Sequence, residues 1–208
     1  MKRMKNPYTS LLTISFMICG IVIVLGFTDL KNLESNTLDL KENSTLSSDE
    51  AFDKMMLVLT HKRCVNCHPA GDRPRQGEDS HYHNFEVQRG ENNHGIAAVK
   101  CQTCHQDENN DYSGVPGAPE WSLAPRAMAW EGLNRVEIAK SIMDPKINGG
   151  RSLEELVEHL TEHALVLWAW SPGVDANGVP REKPPVSKED YITAVKEWAE
   201  SGAHIPEQ

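Results

Sequence analysis

Cys64-Val65-Asn66-Cys67-His68 and Cys101-Gln102-Thr103-Cys104-His105 are two copies of one five-residue motif, set 37 positions apart. Cys-x-x-Cys-His is the pattern through which a c-type haem is attached, and the chemistry explains the spacing. Two thiols close thioethers onto the two vinyl groups of one porphyrin edge, and the adjacent imidazole reaches the iron. A zinc centre does not need a His directly after each Cys pair, twice over. A redox dithiol of the thioredoxin kind comes once, at a strand-to-helix turn of a βαβ chain. The repeat therefore implies two covalent haem c groups, with Cys64, Cys67, Cys101 and Cys104 as thioether positions and His68 and His105 as proximal ligands. Thirty-seven residues are too few to complete a helical shell and return a distal ligand before the next motif begins. Both haems are expected in one domain, close together, which suits an electron relay.

The rest of the composition agrees. Four of the five cysteines are in the two motifs, and the fifth, Cys19, lies in an apolar run near the N-terminus. Aromatic residues are few, at 6%, so two porphyrins would supply much of the missing apolar core. The formal charge of −9 argues against nucleic acid, whose affinity comes from Lys and Arg on phosphates. An acidic surface suits a transient redox partner with a basic patch, because charge steers encounter.

Leu11–Phe27 is a run of 17 residues without a charge, preceded by Lys2, Arg3 and Lys5 and followed by Asp29. The flanking charges orient the rest of the chain outward by the positive-inside rule. The run is at the lower limit for a bilayer span. Its exit, Leu25-Gly26-Phe27-Thr28-Asp29, has no small-residue cleavage pattern. Residues 1–27 are thus expected to be an uncleaved anchor; the alternative is a cleaved signal and a soluble periplasmic protein. A lipoprotein site at Cys19 is disfavoured because Ile18 stands where a small residue is expected. Each reading puts the domain on the periplasmic side of the cytoplasmic membrane, where haem c is attached. Residues 28–47 read as a polar tether and 48–208 as the haem-carrying domain.

That domain is expected to be mainly α. Ser47 with Glu50 forms a capping box ahead of Phe52, Met55, Met56 and Leu59 at helical spacing. Leu133 to Met143 makes a second amphipathic helix, stopped before Pro145. Ser152 with Glu155 opens a third, running through Leu153, Leu156, Leu160 and Leu167. A last helix begins near Ser187 with Tyr191, Ile192, Val195 and Trp198 on one face. A short helix should deliver the second motif. Asn109 to Pro125 should be loop, and no stretch alternates like a strand.

Each iron needs a second axial partner; a His gives a low potential, a Met raises it, and a vacancy permits ligand chemistry. His81, His83, His94, His159, His163 and Met128 compete for two places, so most are ordinary residues. His83 sits between the motifs, within reach of the first iron. Met128, 23 residues after the end of the second motif, has chain enough to cross that porphyrin, although Met also fills core gaps. His159 and His163 share a helix face at the border of its leucine stripe and keep His159 in reserve for either iron. A His/Met haem beside a His/His haem would differ in potential, with the Met-ligated haem as the electron sink.

Several further segments carry a resemblance: Val87-Gln88-Arg89-Gly90, Cys101 to Gln106, Pro116-Gly117-Ala118-Pro119-Glu120-Trp121-Ser122-Leu123-Ala124-Pro125, Asn148 to Leu156, and Trp168-Ala169-Trp170-Ser171-Pro172-Gly173. In this order they resemble the dihaem cytochromes of the isoquinoline 1-oxidoreductase subunit family, over roughly His61 to Pro206. The resemblance implies a c-type subunit that takes electrons from a molybdenum-containing hydroxylase in the periplasm. It also implies that His83, Met128 and His159 match family positions, while His81, His94 and His163 fall where the family varies. The expected function is electron transfer, with no catalytic residue and no small-molecule substrate. The alternative is a haem enzyme or sensor with one open iron, such as a peroxidase or small-molecule reductase.

Overall fold

The structure is a computed structural model and describes residues 46–207. The expected anchor and nearly all of the tether lie outside the described residues. No helix among the described residues is long and apolar enough to cross a membrane.

Helix starts follow side-chain caps. Ser47 accepts from the Glu50 amide while the Glu50 carboxylate accepts from the Ser47 amide, opening α1 (Ser48–Leu59). His61 caps the short α2 (Lys62–Val65), its Nδ1 accepting from the Arg63 amide at 3.2 Å. Asn134 with Glu137 opens α3 (Arg135–Met143), and Ser152 with Glu155 opens α4 (Leu153–Glu162). The helix expected to run on to Leu167 breaks at His163, whose backbone is extended (φ −68°, ψ 124°), and resumes as α5 (Ala164–Leu167). Ser187 caps α6 (Lys188–Glu200).

The core forms where α1 lies along α6, with α4 packed on α6 and α3 on α1. Phe52, Met55, Met56 and Leu59 meet Ile138, Ile142, Leu156, Leu160, Tyr191, Val195 and Trp198 there. Trp198 is fully buried, and its indole N–H donates to the His204 carbonyl at 2.7 Å. Trp198→Ala is expected to cost about 3–5 kcal/mol, the range for deleting a buried aromatic side chain. Chemical denaturation should show it as a lower midpoint at unchanged slope.

Between α2 and α3 the chain is mostly loop, with two minimal antiparallel hairpins, Arg75–Gln76 with His81–Tyr82 and Gly95–Ile96 with Val99–Lys100. Arg89, 3% exposed, gathers these loops. Its guanidinium donates to the carbonyls of Pro69, Gly71 and Ala124 and to the Asn93 side chain. The chain then returns along the first motif: the amides of Ala124 and Trp130 donate to the carbonyls of Cys67 and His68 at 3.0 and 2.9 Å. That return decides which side chains stand behind His68.

Candidate functional site

Both motifs fold as one tight turn. In the first, the Cys67 amide donates to the Cys64 carbonyl (3.1 Å) and the His68 amide to Val65 (2.9 Å). In the second, a 3-10 turn (Cys101–Thr103) replaces the expected short helix, and the amides of Cys104 and His105 both donate to the Cys101 carbonyl, at 3.2 and 3.0 Å.

The two motif histidines are held in the same way. His68 Nδ1 donates to the Met128 carbonyl at 2.6 Å, and its ring stacks on Trp130 with centroids 3.6 Å apart and planes within 11°. His105 Nδ1 donates to the Pro116 carbonyl at 2.7 Å, and its ring stacks on Trp121 at 4.5 Å and 6°. A carbonyl on Nδ1 fixes the tautomer and the ring's rotation, leaving Nε2 as the metal-binding nitrogen. Burial pushes His68 down to about 4 and lowers His105 as well, so both imidazoles are neutral near pH 7, the form that ligates.

Each histidine faces a cavity. The first cavity has a volume of about 390 Å³ and is lined by His68 and His159, with Leu59, Ile142, Leu156 and Leu160 in its wall. The second encloses about 190 Å³ and is lined by Cys101, Cys104, His105 and His83. Arg63, Cys67, Leu123 and Trp168 line both, so the two sites share a wall. Trp168 also meets Trp121 edge-on at 4.9 Å, and Asn109 accepts its indole N–H at 2.9 Å.

His83 stands opposite His105, ring centroids 6.0 Å apart and planes at 69°, its own Nδ1 donating to the Asn84 carbonyl at 2.7 Å. A metal bound to both Nε2 atoms at about 2 Å, each about 1.1 Å from its ring centre, separates two imidazole centroids by about 6 Å. The observed spacing fits two axial ligands on one iron. His83 therefore differs from its expected place: it partners the second motif, because the Arg75–Gln76 hairpin folds the inter-motif loop away from His68.

Met128 likewise stands by the motif other than the one nearest along the chain: its carbonyl carries the His68 tether, its side chain is buried against the core, and it lines the first cavity and not the second. The return of residues 124–131 along the first motif puts it there. His159, on α4, lines the first cavity with His68, as do His94 and His163. Burial lowers His159 to about 4, and it is close enough to push His68 down further. Neither of its nitrogens has a hydrogen-bond partner among the described residues. Its neighbour His163, 4.9 Å away ring to ring, has Nε2 3.6 Å from the Glu120 carboxylate. His81 is bound to Asp79 and Gln76 on the surface, and His94 to Gln102.

The thiols differ from those of a redox pair, where the acidity is raised. Burial pushes Cys64 up to about 12 and Cys67 up to about 11, and it raises Cys101. Among the described residues no three His, Cys, Asp or Glu side chains converge as a metal cluster would require. A histidine tied at Nδ1 beside a Cys pair and a cavity, twice over, with a further imidazole in each cavity lining, fits a porphyrin better than a bare ion. The Trp stacks, the Pro116 carbonyl and the pairing of His83 with His105 carry no sequence signal of their own; they come from loops meeting in space. No protein-family model, curated protein or solved structure matches this chain.

Proposed function

We propose that this chain is a dihaem c-type electron-transfer protein. The observation that carries the reading is that each motif histidine is tied at Nδ1, stacked on Trp and set beside its Cys pair in the wall of a cavity. His83 lies 6.0 Å from His105 ring to ring, and His159 is in the same cavity lining as His68. Cys64 and Cys67 would hold one haem with His68 and His159 as axial ligands; Cys101 and Cys104 would hold the other with His105 and His83. When bound, each haem supplies a one-electron ferric/ferrous couple. The residues do the rest. Two nitrogen ligands per iron leave no coordination position for a substrate, which favours electron transfer over the open-iron enzyme or sensor. Fixed imidazoles keep the surroundings nearly unchanged between oxidation states. The shared wall of Arg63, Cys67, Leu123 and Trp168 keeps the two sites adjacent.

The motif order resembling the isoquinoline 1-oxidoreductase cytochromes supports a molybdenum-containing hydroxylase as donor, with the domain on the periplasmic side of the membrane. The acidic surface suits basic partners.

Intact mass and a reduced spectrum test the reading. The mass should exceed the polypeptide by two haems, and the reduced spectrum should be unchanged by carbon monoxide. A zinc-loaded, porphyrin-free protein overturns it, and rapid CO binding at either iron of the unaltered protein moves the function to ligand chemistry.

A further inference from the structure

Resting on that reading, we infer that Arg181 is the residue that makes the second site the high-potential end of the pair, so that electrons collect there. The second cavity is lined by Lys62, Arg63, Arg75, Lys100 and Arg181 and by no Asp or Glu, in a chain of net charge −9. Three of these cations are compensated. Lys62 pairs with Glu182 and Glu78, Arg63 with Glu78, and Arg75 with Glu131.

Lys100 and Arg181 have no carboxylate within 4.0 Å among the described residues; Lys100 is exposed to solvent, whereas Arg181 is half-buried. Its guanidinium is bound by carbonyls alone: Nη1 donates to Pro172 (2.9 Å) and Val174, and Nη2 to Gly114 (2.5 Å). Among the described residues no carboxylate comes within 4.0 Å of it, although Asp175, Glu78 and Asp111 lie farther off. Carbonyl dipoles fix the group without cancelling its charge, and a guanidinium does not lose its proton in a protein. The charge is therefore held half-buried beside His105.

The same bonds position His105. Gly114, at φ +68°, packs so closely on the Asp175–Ala176 backbone that a Cβ would fall 2.3 Å from the Ala176 nitrogen. Arg181 clamps that contact, and two residues later Pro116 supplies the carbonyl that holds His105.

Reduction lowers the charge on an iron site by one, so an uncompensated cation nearby favours the reduced form. The sign is the same whether Arg181 acts on the iron directly or neutralises a propionate. The first cavity has Arg151, which also has no carboxylate within 4.0 Å among the described residues, but Glu120 in the same lining offsets that charge, and Arg63 is itself paired. The second cavity has no acidic residue in its lining. An electron shared between the sites then rests on the second, the first being oxidised as the second is reduced.

The test is a potentiometric titration of the two-haem protein and its Arg181 variants. Arg181→Gln keeps a hydrogen-bond donor and loses the charge; it should shift the second haem's reduction equilibrium about tenfold toward the oxidised form, about 59 mV for one electron, and leave the first unmoved. Arg181→Lys keeps the charge and loses the fork, and should hold most of the potential. If both haems are present and Arg181→Gln moves neither couple, or Arg181→Lys falls as far, the inference is overturned while the dihaem reading stands. A protein without haem would instead overturn the reading itself. Should Arg181→Gln not fold, the Cys101→Ser/Cys104→Ser protein decides: its remaining couple must match the lower of the two wild-type potentials, and a match to the higher one overturns the inference.

Discussion

Replacing His159 with Ala is expected to turn the first iron from a closed site into one that binds carbon monoxide, so that one of the two haems responds in the reduced spectrum. Met128→Ala is expected to leave both haems closed. Both residues line the first cavity, and the contrast comes from what each is already engaged in. Met128 accepts the His68 Nδ1 proton at its carbonyl, and its side chain is buried against the core. His159 lines the cavity that His68 faces and has both ring nitrogens free of partners among the described residues. Removing a ligand opens an iron outright, whereas removing a buried thioether costs packing: Met128→Ala should lower stability by about 2–5 kcal/mol without opening a site. His163 is the internal control. It shares the cavity but points a nitrogen toward Glu120. A CO-inert His159→Ala protein beside a CO-binding His163→Ala protein would reassign the ligand to His163. By the same logic His83→Ala should open the second iron, since His83 stands 6.0 Å from His105 ring to ring.

These assignments mark how far the amino-acid sequence reaches. The attachment motifs, the capping boxes at Ser47 and Ser152 and the helices they open are written in residues at most four apart, and the structure has them within a residue or two. The break at His163 is a tertiary effect: α5 turns so that Trp168 reaches the wall between the two cavities. Axial partners are less legible for the same reason. Chain distance alone assigns His83 and Met128 each to the haem nearest along the sequence. The hairpin at Arg75–Gln76 and the return of residues 124–131 past Cys67 and His68 exchange those neighbourhoods. His159 shows no more in sequence than a histidine at the edge of a leucine stripe. Its place in the wall of the first cavity comes with the packing of α4 on α6. Arg181 is further still from legible, because what singles it out is the absence of a carboxylate among the groups that hold it.

If His159 and His83 complete the two irons as proposed, no thioether sets the direction of electron flow. Charge and burial remain as the means by which one chain holds two similar couples apart. The first site is walled by residues of the helical core, and the second has the exposed Cys104 at its edge and is ringed by cations. Exposure stabilises the oxidised form by solvation and works against the cations. The fixed charge of Arg181 inside the wall is what tips the balance, because water screens a charge held beside the iron less than one on the rim.

The same asymmetry predicts unequal consequences for the two attachment motifs. Cys101→Ser/Cys104→Ser is expected to yield a folded protein whose mass exceeds the polypeptide by one haem, whereas Cys64→Ser/Cys67→Ser is expected to yield no stable protein. Cys64 packs against the core cluster, and the first cavity is walled by Leu59, Ile142, Leu156 and Leu160, drawn from α1, α3 and α4. Left unfilled, about 390 Å³ at about 24 cal/mol per Å³ is a loss of about 9 kcal/mol, within the whole stability of about 5–15 kcal/mol for a domain of this kind. The second cavity, at about 190 Å³, gives about 5 kcal/mol on the same scale. Both figures are ceilings, since each cavity opens to solvent on one side, and their ratio carries the prediction. The second cavity is also bordered by loops that Arg89 and Arg181 tie to carbonyls independently of any porphyrin. Purification yield, thermal unfolding and intact mass of the two variants read the result together. Equal stability of both, each with one haem, would show that the helical core does not depend on the first site, and the volume argument would fall.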